Sequence, residues 1–329
     1  MTLSSSRLFV SRSVARLQHL ELGRPDYTIF FGAGIGDDLL CASVAHELKK
    51  RGARRIVMFS RYAELFANNP DIAITRDYRY PTAGRLRHWG YSCIIPQYAT
   101  YDPVTDIDIT PNEHFLQTMC RMAGIQGSID LRTYFHLTAQ EKARGRLHPS
   151  QAVIHSTGLE IMPNKRWPKE HYQTVADQTR ARVQWIQLGL KDDPPIAGAT
   201  DLRGRTTLRE SAAILAHSNV FLGQAGLLMH LARAVETRSV IVYGGRENPS
   251  VSGYVANENL VGRTPCSYCW QRTRCDFDHE CMRMITAEHV SSAVHLQLER
   301  FGSPLETQQV EIGPPPKPAV PFSTTPGTT

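Results

Sequence analysis

The sequence predicts an α/β protein of two doubly wound parallel sheets, one in each half, facing a cleft. Three observations carry that prediction. Short apolar runs alternate with helical stretches along most of the chain, which is the pattern of βαβ crossovers. The alternation starts twice, once at Tyr27-Thr28-Ile29-Phe30-Phe31 and again at Ala152 to His155, each time as a strand running into a polar or glycine loop. The stretch from His217 to Glu247 reads as one complete unit: an apolar run Val220-Phe221-Leu222 closed by Gly223, a helix from near Gly226, and a second run from Ser239 to Tyr243 ending in Gly244-Gly245. The turn of such a unit offers unpaired backbone N–H groups at a positive helix end, which suits a phosphate.

In chain order, residues 1–26 form a basic leader. Arginines interrupt MTLSSSRLFVSRSVARLQHL and leave no continuous apolar core, so it is a poor secretory signal. The first half, 27–148, opens with a strand that flows into Gly32-Ala33-Gly34-Ile35-Gly36-Asp37-Asp38. The helix that follows carries Leu39, Leu40, Val44 and Leu48 as its apolar stripe and stops at Lys49-Lys50-Arg51-Gly52. Arg55 to Phe59 supplies another strand. Residues 60–110 are irregular, with one strand expected at Tyr91 to Ile95. Helices are expected from Asn112 to Ala123 and from Thr138 to Arg146, the latter capped by Thr138 with Glu141 three residues on.

The second half, 149–301, follows a linker at His148-Pro149-Ser150. It reads as strand, a loop containing NKRWP, a helix from Lys169 to Thr179, a strand from Val183 to Leu188, and a helix from Leu208 to Ala216 that Thr207 and Glu210 cap as a box. Residues 302–329 are rich in proline and threonine and read as a disordered tail.

At 329 residues the chain has room for two ordinary domains, and 41% hydrophobic with 21% charged residues is globular composition. No run approaches the roughly 20 apolar residues of a membrane span. A net charge of +6 favours acidic partners such as phosphates or an anionic membrane surface, although ordinary surface lysine and arginine account for it as well. The chain has neither an aromatic–basic RNA-binding motif nor finger spacing, so nucleic acid is not an expected partner. The expected location is cytoplasmic, with peripheral contact to membrane.

Cys41, Cys93 and Cys120 stand alone in apolar contexts and read as reduced core residues. Cys266, Cys269, Cys275 and Cys281 are clustered, and four thiolates suit a tetrahedral structural zinc or iron. Reduced thiols in a compact loop, or disulfides in an oxidising compartment, are the other readings of the same spacing.

The motifs GIGDDLL, NKRWPKEHY, DLRGRTTLRESAAILAHSNVFLGQAGLLMHLARAV and the CxxCW…C…CM segment followed by ITAEHV occur in the order found in glycosyltransferase family 9, and the chain resembles that family from about residue 27 to 295. The resemblance implies the GT-B fold, with an acceptor-binding first domain and a donor-binding second one. It implies inverting transfer from a nucleotide sugar, ADP-heptose by preference, to a glycan acceptor such as lipopolysaccharide core, with no catalytic metal. A relative using another nucleotide sugar or a protein acceptor, and a non-catalytic scaffold of the same fold, are the alternatives. In the branch that modifies autotransporter proteins a similar cysteine cluster holds iron.

The chemistry asks for a base to take the acceptor hydroxyl's proton. Asp37 matches the family's GD aspartate, Asp38 is its rival, and helix capping is what either does otherwise. The departing diphosphate asks for cations and N–H dipoles. Lys165 matches the family's K-x-W-P lysine, with Arg166 beside it. Gly226, Leu227, Leu228 and Met229 offer N–H groups, His230 is either a ligand or a packed residue, and Ser156 and Thr157 are minor phosphate contacts. Where the family carries an aspartate before this glycine, the chain has Gln224-Ala225-Gly226, and Glu247 is the carboxylate expected to meet ribose or sugar hydroxyls in its place.

Overall fold

Two parallel sheets account for the alternation. The computed structural model describes residues 22–31, 34–77, 83–88, 90–110, 112–156 and 162–313. The first sheet is β1 (Tyr27–Phe30), β2 (Ile56–Phe59), β3 (Ile74–Arg76) and β4 (Cys93–Ile94), in the order β3-β2-β1-β4. A hairpin of β5 (Thr100–Asp102) and β6 (Ile107–Ile109) and the strand β7 (Gly127–Asp130) follow. The second sheet is β8 (Gln151–Ile154), β9 (Gln184–Gln187), β10 (Thr200–Asp201), β11 (Ser218–Gln224), β12 (Ser239–Val242) and β13 (Asn257–Leu260), in the order β10-β9-β8-β11-β12-β13. All pairings within these two sheets are parallel. Both faces of such a sheet are covered, which is why β8 and β12 are buried at every residue.

The winding reverses between β1 and β4 in the first sheet and between β8 and β11 in the second. A doubly wound sheet opens a crevice at such a reversal, beyond the carboxyl ends of the strands. The loops after β1, β4, β8 and β11 therefore face the cleft.

The helix Ile35–Lys50 packs its stripe of Leu39, Leu40, Val44 and Leu48 into the interior. Its first turn also meets the second half: a Cβ at Gly36 would stand 3.5 Å from Leu227 Cα and 3.7 Å from His230 Cδ2. One buried cluster runs without a break from Ile29, Leu40 and Val44 to Leu215, Leu231 and Ile241. A second, built on Tyr172, Val175, Val290 and Val294, covers the far face of the larger sheet. At about 1.5–3 kcal/mol per fully buried aliphatic side chain, this shared core outweighs the surface ion pairs, worth roughly 0–1 kcal/mol each.

Both expected capping boxes form, Thr138 with Glu141 and Thr207 with Glu210. The helix Ala139–Arg144 ends at Gly145, where a Cβ would lie 2.0 Å from the Ala213 carbonyl oxygen of the helix Leu208–Ala216. Only glycine lets those two helices approach so closely.

The structure departs from the sequence expectations in four places. The helix expected over 112–123 runs Phe115–Met122, because His114 caps it: its Nδ1 accepts from Leu116 N–H at 3.2 Å. The strand expected over 91–95 shortens to the two residues of β4. Cys93 is half-buried, whereas Cys41 and Cys120 are core residues as expected. The tail expected to be disordered from 302 instead forms β14 (Gln309–Ile312), which returns to the first half and pairs antiparallel with β7. Ile312 is buried there, and the Arg233 guanidinium holds the approach by donating to Thr307 Oγ1 at 2.6 Å. The leader up to residue 21 and residues 314–329 lie outside the described residues. Among the described residues no helix is long and apolar enough to cross a membrane.

Candidate active site

Asp37 is the third residue of the helix that follows β1. Its carboxylate folds back over the helix start, with Oδ2 accepting from Gly34 N–H at 3.0 Å. Gly34 is what permits this, since a Cβ there would stand 2.9 Å from that oxygen. Oδ1 accepts from the Tyr98 hydroxyl, which arrives from the loop after β4 on the other side of the reversal. Burial pushes the Asp37 carboxyl above the ordinary carboxylate range. The Tyr98 and Gly34 hydrogen bonds and the Lys165 cation pull it down, and Glu247 pushes it up. Asp38 points the opposite way. It is 1% exposed, accepts from Ser60 Oγ, and is pushed up to about 7 by burial first of all. Of the two aspartates, Asp37 is the one that feels the second half across the cleft.

On that side Lys165 ends a short 3-10 turn, Pro163–Lys165, after β8. Its ammonium lies 2.8 Å from Glu247 Oε2 and donates to the Ala225 carbonyl at 3.3 Å. Glu247 is buried, and it also accepts from Ser252 Oγ and from Arg246 Nη1 at 3.4 Å. Burial alone would raise its carboxyl, but Lys165 and Arg246 hold it down at about 2. The carboxylate expected to meet donor hydroxyls is therefore turned to Lys165 and Arg246.

Gly226 caps the helix Leu227–Ala234, so the N–H groups of Leu227, Leu228 and Met229 fall in its first turn and lack intrahelical acceptors. His230 is 7% exposed, and its Nδ1 shares a 2.7 Å hydrogen bond with Tyr254 Oη. Burial drives its imidazole down to about 3, which keeps it neutral at physiological pH. Gln224 is buried beneath this turn. Its amide meets His155 Nδ1 at 3.1 Å and accepts from Tyr172 Oη at 3.4 Å, while His155 Nε2 meets Asp193 Oδ2 at 3.3 Å. The glutamine thus lies within the network at the strand ends.

Two further expected contacts fall differently. Ser156 is buried, and its hydroxyl donates to the Pro194 carbonyl at 2.6 Å, so only its backbone can serve a phosphate. Thr157 lies outside the described residues. Arg166 is half-buried and lines a cavity of about 530 Å³ with Ser156, Lys169, Asp192 and Arg283.

The comparisons with known proteins bear on the fold. The family model described as glycosyltransferase family 9 (heptosyltransferase) matches residues 120–278. That match covers a little under half of the chain, in the stretch that runs from the end of the first half through the cysteine loop. No curated protein matches the chain by sequence. Among solved structures it is similar to a family 9 glycosyltransferase from Veillonella parvula, at 14% identity and TM-score 0.63 over 85% of this chain and 99% of that one. It is also similar to the E. coli ADP-heptose lipopolysaccharide heptosyltransferase II, at 16% identity and TM-score 0.63 over 83% and 99% of the two chains. A third is TibC, an iron-containing dodecameric glycosyltransferase of enterotoxigenic E. coli, at 18% identity and TM-score 0.64 over 84% and 77%. TibC has also been solved with ADP-D-β-D-heptose. These likenesses establish the two-domain GT-B fold.

The four clustered cysteines line one small cavity backed by Gly245 and Arg246. His279 N–H donates to Cys275 Sγ at 3.2 Å, and Thr264 Oγ1 lies 3.2 Å from Cys266 Sγ. All four are free thiols, and among the described residues no three metal-ligating side chains come close enough together to hold an ion.

The loop that carries these cysteines clasps the first half. Asp108 of β6 accepts from Arg246 Nη2 and from Arg272 Nε, the latter at 2.8 Å. Asp106 Oδ2 accepts from Thr273 N–H at 2.7 Å and Arg274 N–H at 2.8 Å. Sequence reading missed Tyr98, Asp108 and Arg246. For Arg246 a signal was present, since it precedes Glu247 directly in the GGREN turn. For Tyr98 the only signal was its position after β4, opposite the loop that bears Asp37.

Proposed function

We propose that the chain is an inverting glycosyltransferase that moves a sugar from a nucleotide donor, ADP-heptose by preference, to a hydroxyl of a glycan acceptor such as lipopolysaccharide core. The observation that carries this reading is the opposition of Asp37 at one sheet reversal to Lys165 and the 226–230 turn at the other. In one displacement the acceptor oxygen attacks the anomeric carbon, Asp37 takes the hydroxyl proton, and the bond to the diphosphate breaks on the opposite face. The charge that gathers on the leaving ADP is met by Lys165, Arg166 and the N–H groups of Leu227, Leu228 and Met229. Glu247 serves this site through Lys165, whose ammonium it holds at the cleft. The similar fold of TibC, solved with ADP-D-β-D-heptose, supports an ADP sugar as donor. We assign acceptor binding to residues 27–148 and donor binding to 149–301, with the site at the cytoplasmic face of a membrane whose anionic surface attracts the basic chain.

A second reading has its own observation. Gln224 stands where the family's aspartate is expected and turns inward to His155 and Tyr172, so the carboxylate contact to the sugar is missing. A different donor sugar, or a protein acceptor, fits that change. ADP release measured against a panel of donors tests both readings: release from ADP-heptose alone supports the first, and faster release with another nucleotide sugar supports the second. No release from any donor while ADP still binds leaves a scaffold. Asp37→Asn is expected to abolish transfer and to keep ADP affinity.

For the cysteines we propose a structural metal, zinc or iron, held by Cys266, Cys269, Cys275 and Cys281 once their sulfurs draw closer together than they stand in this structure. The His279 N–H directed at Cys275 Sγ suits a thiolate. Such an ion holds the loop and takes no part in transfer. Purified protein is expected to carry about one zinc or iron per chain, and metal analysis that finds only traces of either ends the idea.

A further inference from the structure

The base reading of Asp37 leaves one of its contacts unused. Tyr98 Oη donates to Asp37 Oδ1 while Gly34 N–H donates to Oδ2, so both carboxylate oxygens are held, by donors from different elements. We propose that Tyr98 is the positioning residue of the base, fixing the Asp37 carboxylate toward the cleft by holding its Oδ1. The proposal rests on Asp37 acting as the base.

The tyrosine is a fixed arm. Its ring stacks on Phe115 at 3.9 Å between centroids with 21° between planes, and Phe115 in turn meets Trp270 at 6.1 Å. Trp270 belongs to the cysteine loop, where its N–H donates to the Arg246 carbonyl at 3.0 Å and the Arg246 guanidinium lies 5.6 Å from its ring. Tyr98 also packs against the main core, and together with this aromatic series that sets where the hydroxyl points.

A base must be charged when the acceptor arrives, and burial works against that. Charges of both signs face Asp37. Lys165 lowers its carboxyl and Glu247 raises it, while Asp38 and Cys41 on its own helix are coupled to it as acidic neighbours. The balance then depends on hydrogen bonds, of which the one from Tyr98 is the stronger. The phenol keeps its own proton, because burial and the nearby Asp37 and Glu247 raise it well above its ordinary value. Tyr98 is thus a donor throughout and no proton relay: the acceptor's proton goes to a remaining lone pair of Asp37.

Tyr98→Phe removes the hydroxyl and keeps the stack on Phe115. The test follows the Asp37 carboxyl by ¹³C NMR in protein labelled at the aspartate carboxyls, with Asp37→Asn identifying its resonance. Losing one hydrogen bond to a charged group is expected to raise its midpoint by about one pH unit, with ADP affinity by calorimetry unchanged within about twofold. A midpoint that stays put in Tyr98→Phe overturns the proposal. The reading of Asp37 as base fails separately, through transfer activity surviving in Asp37→Asn. In that case the carboxyl titration still reports on Tyr98. If transfer proves measurable, the ascending limb of its pH profile is expected to move up with the midpoint, and an unmoved limb counts against the proposal.

Discussion

Lys165 Nζ and Glu247 Oε2 stand 2.8 Å apart with side chains only 17% and 7% exposed, so the ammonium is held by a buried carboxylate. The pair is costly to break from one side only. Lys165→Met leaves Glu247 buried beside Arg246 alone, and a loss of about 3–5 kcal/mol in urea unfolding at pH 7 is expected. Glu247→Gln in the same chain removes the stranded charge and should recover part of that loss. ADP affinity should fall at least about tenfold in both variants, since neither restores the ammonium.

Acid dependence follows from the same carboxylate. Glu247 is held down at about 2 against an ordinary value near 4.5. Its contribution to stability is therefore complete above about pH 4.5 and is lost as the pH falls toward 2. Lys165→Met is expected to weaken this acid sensitivity, as read by melting temperature between pH 3 and 6.

Asp38 has the opposite sign. Its Oδ1 has no hydrogen-bond partner among the described residues, and burial raises its carboxyl to about 7. The folded state holds that proton more tightly than the unfolded chain, so stability falls as pH rises from about 4 to about 7 and then levels. The full effect is at most about 4 kcal/mol. Asp38→Asn should flatten that slope, and a slope equal to the wild type's between pH 5 and 8 would contradict the buried, proton-holding carboxyl.

The clasp between the halves predicts a local effect. Asp108→Asn takes the carboxylate from Arg246 and Arg272 together, with an expected loss of about 3 kcal/mol and faster tryptic cleavage after Arg272 and Arg274. Equal cleavage rates in variant and wild type would show that the loop is held by other contacts.

Gly262 tests the cysteine loop directly. A Cβ at that position would stand 1.8 Å from the Cys281 carbonyl oxygen, with no flexible side chain to yield. Gly262→Ala should shift the segment bearing Cys281 and destabilise by roughly 1–3 kcal/mol. Gly124→Ala serves as a control for space, because nothing lies within 4 Å of a Cβ there, although its φ of +76° adds backbone strain.

The fold was largely legible because its signals are local. The helices Lys169–Thr179 and Leu208–Ala216 have the bounds expected from apolar spacing and caps. The 226–230 turn was visible because it follows a strand, where a doubly wound sheet binds ligands, whereas Asp37 and Lys165 were singled out by the family resemblance. The 60–110 region was opaque for a physical reason. Its hairpin takes its shape from the partner it docks on: Asp106 adopts φ 61° with the N–H groups of Thr273 and Arg274 on its carboxylate, far away in sequence. Ser156 had the expected position with an unforeseeable hydroxyl direction. The end of the chain was misread because its prolines outweighed the apolar alternation of Val310 and Ile312, which only a free edge of β7 makes useful.

That last strand has a mechanical meaning. The chain passes from the first half to the second after residue 145 and crosses back before Gln309, so two separate spans join the lobes. Bodies tied at one point can swivel in any direction, whereas bodies tied at two turn about the line between the ties. A movement of the lobes would accordingly have the line between the two ties as its axis. Cutting the chain just before Gln309 would leave the sheets and the site residues intact and remove that axis.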